Sequence, residues 1–358
     1  MESRFRKILI APLDWGLGHA TRCIPLIRFF QEKGREVVVA SSGEALVLLK
    51  AEFPKIVFFE LPAYNVHYEF DSMAVNMMLQ LPKLRSVIIK ENQALQKILI
   101  NFSADLIISD NRYGIHHPEI PSVFLGHQLA VQMPSPIKVF SKLSLKWHSR
   151  MLEPFNQIWV PDFAAQSNLS GKLSHGIKMK RPIFFIGPLS RFKRDDIVEE
   201  NLPLLVLISG QEPKRSQFEK QIIEQLSDWD KEVILLRGLP SEENVLETQN
   251  KYLKIFNHKE SKDLESLILR AKRIICRSGY SSIMDFAALH KRVLFVPTNG
   301  QTEQEYLAEY LTESGLAMSA TEKNLNIIQN LQQLDLISPL KMENMQLGFL
   351  LEQALKDL

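Results

Sequence analysis

The feature that most constrains this chain is a rhythm: a short apolar run, then a longer amphipathic stretch, repeated along nearly its whole length. KILIAPL (7–13) reads as a buried strand, and HATRCIPLIRFFQEKG (19–34) as a helix that stops at Gly34. EVVVASS (36–42), KIVFFEL (55–61), ADLIISD (104–110), PSVFLGH (121–127) and QIWVPD (157–162) continue the strand pattern. Strands alternating with helices in this way predict a parallel sheet covered on both faces.

The rhythm then restarts. A charged, proline-bounded stretch, IFFIGPLSRFKRDDIVEENLP (183–203), breaks the hydrophobic continuity, and LLVLISG (204–210) opens a second series. EVILLRG (232–238), YLKIFNH (252–258), RIICRSG (273–279) and RVLFVPT (292–298) follow. The expectation is an α/β fold of two doubly wound domains, 1–186 and 187–340. The amphipathic 341–358 forms a closing helix that packs back on the first domain. A length of 358 residues fits two cores better than one.

Composition narrows the function. Lys+Arg 43 against Asp+Glu 41 leaves a net +2, which argues against a nucleic-acid footprint over the whole protein. Cys23 and Cys276 are too few for a disulfide framework or a zinc cluster. No signal peptide or long apolar span is visible, so a cytoplasmic location is expected.

Ligands of doubly wound sheets lie beyond the carboxyl ends of the strands, so the loops there carry the chemistry. In the second half, ISGQEPKR (208–215) places Ser209, Gly210 and Gln211 before a helix. CRSGYSSIMD (276–285) places Arg277, Ser278, Gly279, Tyr280, Ser281 and Ser282 at another helix start. Helix N-termini attract anions through unpaired N–H groups and the helix dipole. Asp285, two turns into that helix, is suited to accept bonds from a ribose diol. PTNGQTEQEYLAEYL (297–311) carries Gln301, Glu303, Gln304 and Glu305, side chains suited to a polyol such as a sugar. Ordinary N-capping by serine is the competing reading of each loop taken singly.

These residues resemble the donor region of GT-B glycosyltransferases of family 28, the family of the bacterial peptidoglycan N-acetylglucosaminyltransferase. The resemblance implies that Ser278 and Gly279 meet a donor diphosphate and that Asp285, where Glu is usual, holds the ribose. It implies that Gln304 and Glu305, at the place of a Gln-Gln pair, contact the donor sugar. Ser209-Gly210-Gln211 resembles the family's GGSQG loop with one glycine missing. GPLSR, ending at Arg191, resembles a segment whose arginine meets phosphate, and His258 in IFNHKES sits where the base binds. The implied architecture is GT-B, two Rossmann-like domains facing a central cleft, and the implied donor is a nucleotide sugar such as a UDP-sugar.

In the first half, DWGLGHATR (14–22) lacks the third glycine of a dinucleotide fingerprint, having Thr21, and the second strand ends in Ala40-Ser41-Ser42 rather than an acid. Gly16 and Gly18 suit close approach of an acceptor. His19, at the helix start, is expected to have its pKa lowered by the dipole and to act as a general base. Asp110 is the expected partner for its other nitrogen; a cap or a salt bridge to Arg112 is the alternative. His127 is a rival base or acceptor contact. GxGH loops of this type resemble those of GT-B enzymes, so the resemblance spans both halves.

His116-His117 has the wrong spacing for a metal, and Asp195-Asp196 lies away from the donor loops. No metal or other cofactor is therefore expected, with Arg191 or Arg237 and the helix termini offsetting phosphate charge. The resemblance implies inverting transfer to an acceptor glycan, lipid-linked sugar or small molecule. In 135–155, Lys138, Lys142, Lys146 and Arg150 form a basic stripe beside Phe140, Leu143, Trp147 and Met151. That helix either rests on an anionic membrane, as a peripheral contact, or packs its apolar stripe inward. Two other functions compete: a nucleotide-sugar 2-epimerase of the same fold, and a non-catalytic nucleotide-binding subunit.

Overall fold

The structure, a computed structural model, describes residues 4–64, 73–130, 141–164, 168–192, 199–240, 242–244, 246–341 and 347–358. The chain divides into two compact units, Met1–Arg191 with Met345–Leu358, and Phe192–Asn344.

The first unit is built on a 7-stranded parallel sheet of order β3-β2-β1-β4-β5-β6-β7. Its strands are β1 (Lys7–Pro12), β2 (Glu36–Ser41), β3 (Val57–Glu60), β4 (Leu106–Asp110), β5 (Ser122–Leu125), β6 (Gln157–Val160) and β7 (Ile183–Phe185). Its helices are α1 (Leu17–Glu32), α2 (Gly43–Glu52), α3 (Met73–Asn101) and α4 (Ser141–Met151). Central strands are apolar on both faces because helices cover both: Leu9, Ile10, Ile107 and Ile108 are fully buried. β7 was not expected; it is three half-buried residues at the sheet edge, too short to show a pattern.

The second unit repeats the design. Its 6-stranded sheet has the order β10-β9-β8-β11-β12-β13, again entirely parallel. The elements are β8 (Leu204–Leu207), α5 (Lys214–Gln225), β9 (Val233–Leu236), β10 (Leu253–Phe256), α6 (Ser261–Arg270), β11 (Ile274–Cys276), α7 (Tyr280–Ala288), β12 (Val293–Phe295), α8 (Thr302–Glu313), β13 (Met318–Ser319) and α9 (Ile327–Leu334). Val206, Phe218, Ile222, Leu235, Ile275, Leu294 and Leu331 meet in one of its cores. β13, two residues long, also escaped the sequence reading.

α10 (Leu347–Lys356) belongs to the first unit. It buries Leu351 and Ala354, pairs Glu352 with Lys33 beyond α1 at 2.5 Å, and brings Gly348 against the Phe29 ring. A Cβ on Gly348 would sit 3.3 Å from that ring, so a small residue lets the two helices approach.

Candidate functional site

In each sheet the strand order reverses once, between β1 and β4 and between β8 and β11. Loops leaving two such neighbours run to opposite sides and open a crevice at their carboxyl ends. The register places Pro12 opposite Asp110, so the loop after β1 starts beside the carboxylate that ends β4.

That loop enters α1 through Gly16, whose φ of 72 suits glycine and which makes no side-chain cap. Gly18 and His19 are half-buried at the helix start. The structure brings His19 and Asp110 together: His19 Nδ1 lies 3.0 Å from Asp110 Oδ1. Arg22, one turn further along α1 and 2% exposed, is the residue the sequence reading missed. Its Nε donates to Asp110 Oδ2 at 2.8 Å, its Nη2 donates to Oδ1, and its Nη1 meets His127 Nδ1 at 3.1 Å. His127, 5% exposed, thus joins the same cluster from beyond β5. Cys23 Sγ donates to Asp110 Oδ2 at 3.4 Å.

The electrostatics follow from these contacts. His19 has its pKa lowered, chiefly by burial and then by the Arg22 charge, against the opposing pull of Asp110. Helix polarity was the expected cause; desolvation and Arg22 are the ones the structure supplies. Burial alone would raise the Asp110 carboxyl, but Arg22 and His19 outweigh it and hold it well below the usual carboxylate range. Arg112 is not its salt-bridge partner. That guanidinium, fully buried, is taken by Glu91 at 2.9 Å, Ser42 Oγ at 2.7 Å and the Pro12 and Pro62 carbonyls.

In the second unit the loops after β8, β11 and β12 are laced together. Arg277 Nη1 donates to the Val296 and Pro297 carbonyls, and its Nη2 reaches the Lys214 carbonyl at 3.3 Å. Glu322 pairs with Arg277 at 2.6 Å, and the Phe218 ring lies 3.9 Å from its guanidinium carbon. At 2% exposure Arg277 is a brace between loops rather than a cation presented to a ligand. Lys214 Nζ donates to the Asn299 carbonyl at 2.8 Å, tying the first loop to the third.

Gly279 is the N-cap of α7 and makes no side-chain cap, so this turn is not a serine-capped start. Ser278 Oγ donates instead to the Gln304 carbonyl at 2.7 Å. A Cβ on Gly279 would meet nothing within 4 Å, so there is open space beside the backbone at this N-cap. Tyr280 is buried, Ser281 and Ser282 are half-buried, and Asp285, 7% exposed, lies on the same helix. Ser209, Gly210 and Gln211 are exposed beyond β8, Gly210 with a φ of 110. Facing Gly210, Thr298 Oγ1 is a buried hydroxyl without a hydrogen-bond partner, 3.9 Å from where a Cβ would be. A buried unpaired hydroxyl costs stability, so Thr298 Oγ1 has hydrogen-bonding capacity left to offer; nothing in the sequence distinguished it from a strand-end residue.

Gln304 and Glu305 turn back on their own loop. Gln304 Oε1 accepts from the Thr298 N–H at 2.9 Å and Glu305 Oε1 from the Gly300 N–H at 2.8 Å, while Gln301 is the N-cap of α8 and half-buried. Glu303 is half-buried beside them. His258 is exposed beyond β10. Arg191 belongs to the first unit, its carbonyl held by Arg28 at 3.0 Å. Arg237 is committed to Glu219 and Asn257, at 2.8 and 2.9 Å. Lys138, Phe140, Asp195 and Asp196 lie outside the described residues, as does the side chain of Lys142. Among the described residues no group of three or more His, Cys, Asp or Glu is placed to hold a metal, and no helix is long and apolar enough to cross a membrane.

Comparison with known proteins bears on the fold and on the chemistry of the chain. Residues 211–353 match the glycosyltransferase family 28 C-terminal domain. A relative from Methanosarcina acetivorans, named an uncharacterized glycosyltransferase, is 25% identical over 325 residues, covering 86% of this chain and 84% of its own. One from Methanosarcina mazei, of the same name, is 22% identical with the same coverage. Among solved structures, a calicheamicin glycosyltransferase superposes with a TM-score of 0.63 at 15% identity, covering 99% of this chain and 94% of that one. MurG of Acinetobacter baumannii superposes with a TM-score of 0.53 at 13% identity, covering 98% and 94%. The solved neighbours fix the fold as GT-B, and the matched domain and the relatives add the chemistry: the chain is a glycosyltransferase of GT-B fold whose residues 211–353 match the family 28 C-terminal domain.

Proposed function

We propose that this glycosyltransferase moves a sugar from a nucleoside-diphosphate sugar to an acceptor hydroxyl, with inversion and without a metal. The observation that carries the reading is the His19–Asp110 contact at 3.0 Å at the start of α1. A neutral imidazole whose Nδ1 is held by a carboxylate leaves Nε2 to take a proton from the acceptor hydroxyl. As the acceptor oxygen bonds the anomeric carbon, the bond to the diphosphate breaks and the electron pair leaves with the phosphate. Attack opposite the leaving group inverts that centre.

In the second unit the start of α7 suits the diphosphate, through its N–H groups, Ser281 and Ser282. Thr298 Oγ1 adds a hydroxyl and Asp285 an acceptor for a ribose diol. Helix polarity and backbone donors then offset phosphate charge in the way a metal would elsewhere. Incubating the protein with a panel of nucleotide sugars and following free nucleoside diphosphate tests this. Slow release from one donor, unchanged after exhaustive chelation, is the expected result; epimerised sugar with the diphosphate still attached would refute transfer.

For the acceptor, we infer that α4 touches an anionic membrane. Leu143 and Trp147 are 64% and 45% exposed, beside exposed Lys146 and Arg150, so the apolar stripe is not packed inward at these positions. Such a face suits a bilayer interface and access to a lipid-linked acceptor. Flotation with anionic vesicles should carry the protein upward, and Trp147→Glu should abolish it; equal recovery with neutral vesicles would overturn the electrostatic part.

A further inference from the structure

Two histidines stand beside the β1–β4 reversal, and one arginine touches both. Arg22 Nη1 lies 3.1 Å from His127 Nδ1, and Nη2 lies 2.9 Å from His19 Nδ1 while also donating to Asp110. A guanidinium has only donors and keeps its charge. His127 Nδ1 must therefore present a lone pair to it, which places that ring's proton on Nε2. His19 is the opposite case. Its Nδ1 faces Arg22 Nη2 at 2.9 Å and Asp110 Oδ1 at 3.0 Å; the guanidinium has Asp110 Oδ1 as its acceptor, whereas the carboxylate can only accept, so Asp110 decides: Nδ1 carries the hydrogen and Nε2 the lone pair.

We propose that Arg22 is a positioning residue that fixes the tautomer of His127 while Asp110 fixes the opposite one on His19, so that His19 and not His127 is the base. The proposal rests on the transfer reading above. The charged and titratable groups around His19 are Arg22 on its own helix, Asp110 from β4 and His127 from beyond β5, with Cys23 against Asp110. His127 Nε2, already protonated, has no lone pair to accept an acceptor's proton. His19 Nε2 accepts it and becomes imidazolium, which the Asp110 carboxylate stabilises through Nδ1–H. Arg22 also opposes protonation of the resting His19 by its charge.

The test reads the histidines directly. In nitrogen-15-labelled free protein, long-range proton–nitrogen spectra near neutral pH should show His19 as the Nδ1–H form and His127 as the Nε2–H form. Arg22→Met removes the cation, and the His19 titration midpoint should rise by about one pH unit or more. The acidic limb of kcat/KM should follow it, with donor KM changing less than about threefold. Arg22→Lys keeps the charge without the fork; its His19 midpoint should stay near that of the unaltered protein while His127 becomes a mixture of tautomers. His127 carrying its proton on Nδ1 in the unaltered protein, or an unmoved His19 midpoint in Arg22→Met, would overturn the proposal. Should Arg22→Met fail to fold, the unaltered protein and Arg22→Lys still decide, because a proton on His127 Nδ1 in the first or unchanged tautomers in the second would overturn it. The spectra need no turnover, so tautomers as stated without any sugar transfer would sink the transfer reading, and the base role with it, while the tautomer assignment stood.

Discussion

At the scale of single residues, a few buried charges hold the His19 cluster of the first unit together. Asp110 is fully buried, and an unpaired carboxylate there would be very costly; Arg22 and His19 are what make it tolerable. His19→Ala should lower the transfer rate by about 10²–10⁴-fold, the usual worth of a general base. Asp110→Asn should lower it by a similar factor, because an amide neither stabilises imidazolium nor fixes the ring. Initial rates of diphosphate release measure both, and a His19→Ala rate within about threefold of the unaltered enzyme would remove His19 from the base role. His19 and Asp110 were legible in the sequence, one from a glycine loop and the other from a strand end. Arg22 was not: its three partners stand 3, 88 and 105 positions away, and only the folded sheet collects them. Arg277 misled in the other direction. In sequence it adjoins the Ser278-Gly279 turn, but its Nη1 and Nη2 donate to carbonyls of neighbouring loops.

At the scale of elements, α4 shows how a surface helix is fastened. Its apolar residues Leu143 and Trp147 face outward, and the inward anchor is a histidine. His148, 3% exposed, donates from Nδ1 to the Leu129 carbonyl at 2.9 Å and accepts at Nε2 from the Tyr113 hydroxyl at 3.0 Å. Burial lowers its pKa from the ordinary 6.5, as it also does for His19 and His116. Below 6.5 the unfolded chain therefore binds protons that the folded chain resists. Stability should fall as pH drops from 6.5 toward the lower folded values and stay level above 6.5. Melting temperatures taken between about pH 7.5 and 5.5 check this. His148→Phe should flatten part of that slope while costing about 1–3 kcal/mol, since it strands a buried carbonyl and a buried hydroxyl. A slope unchanged by the substitution would mean that His148 does not titrate in this range. The basic stripe of α4 was visible as periodicity; which residues face the core was not, because a histidine anchor leaves no hydrophobic signature.

At the scale of the whole molecule, the same topology is used twice, and each sheet brings its loops together at the reversal of strand order. The loops proposed to hold the donor belong to the second unit and the His19 cluster to the first, so under the proposed function holding the donor and activating the acceptor should separate by mutation. Saturating nucleoside diphosphate, at about a hundred times its Kd, should stabilise the protein by about 2.7 kcal/mol, seen as a rise in melting temperature. Asp285→Ala should lose most of that rise and His19→Ala should keep it. A rise retained in Asp285→Ala would return the α7 turn to a purely structural role.

The sequence by itself determined the number and kind of strands that form both sheets, apart from the short β7 and β13. Apolar runs bounded by glycine and polar loops can be buried in few other ways. It also marked the glycine-rich turns at the strand ends, since those turns need small residues whatever surrounds them. The tertiary structure alone decided what each polar side chain does. Gln304 and Glu305, suited in sequence to a sugar, accept N–H groups of their own loop; Thr298 is left with an unpaired hydroxyl; Arg22 joins two histidines. The physical reason is that burial of apolar runs depends on local pattern. The pairing of a buried donor or acceptor depends on which distant strand end comes within about 3 Å of it.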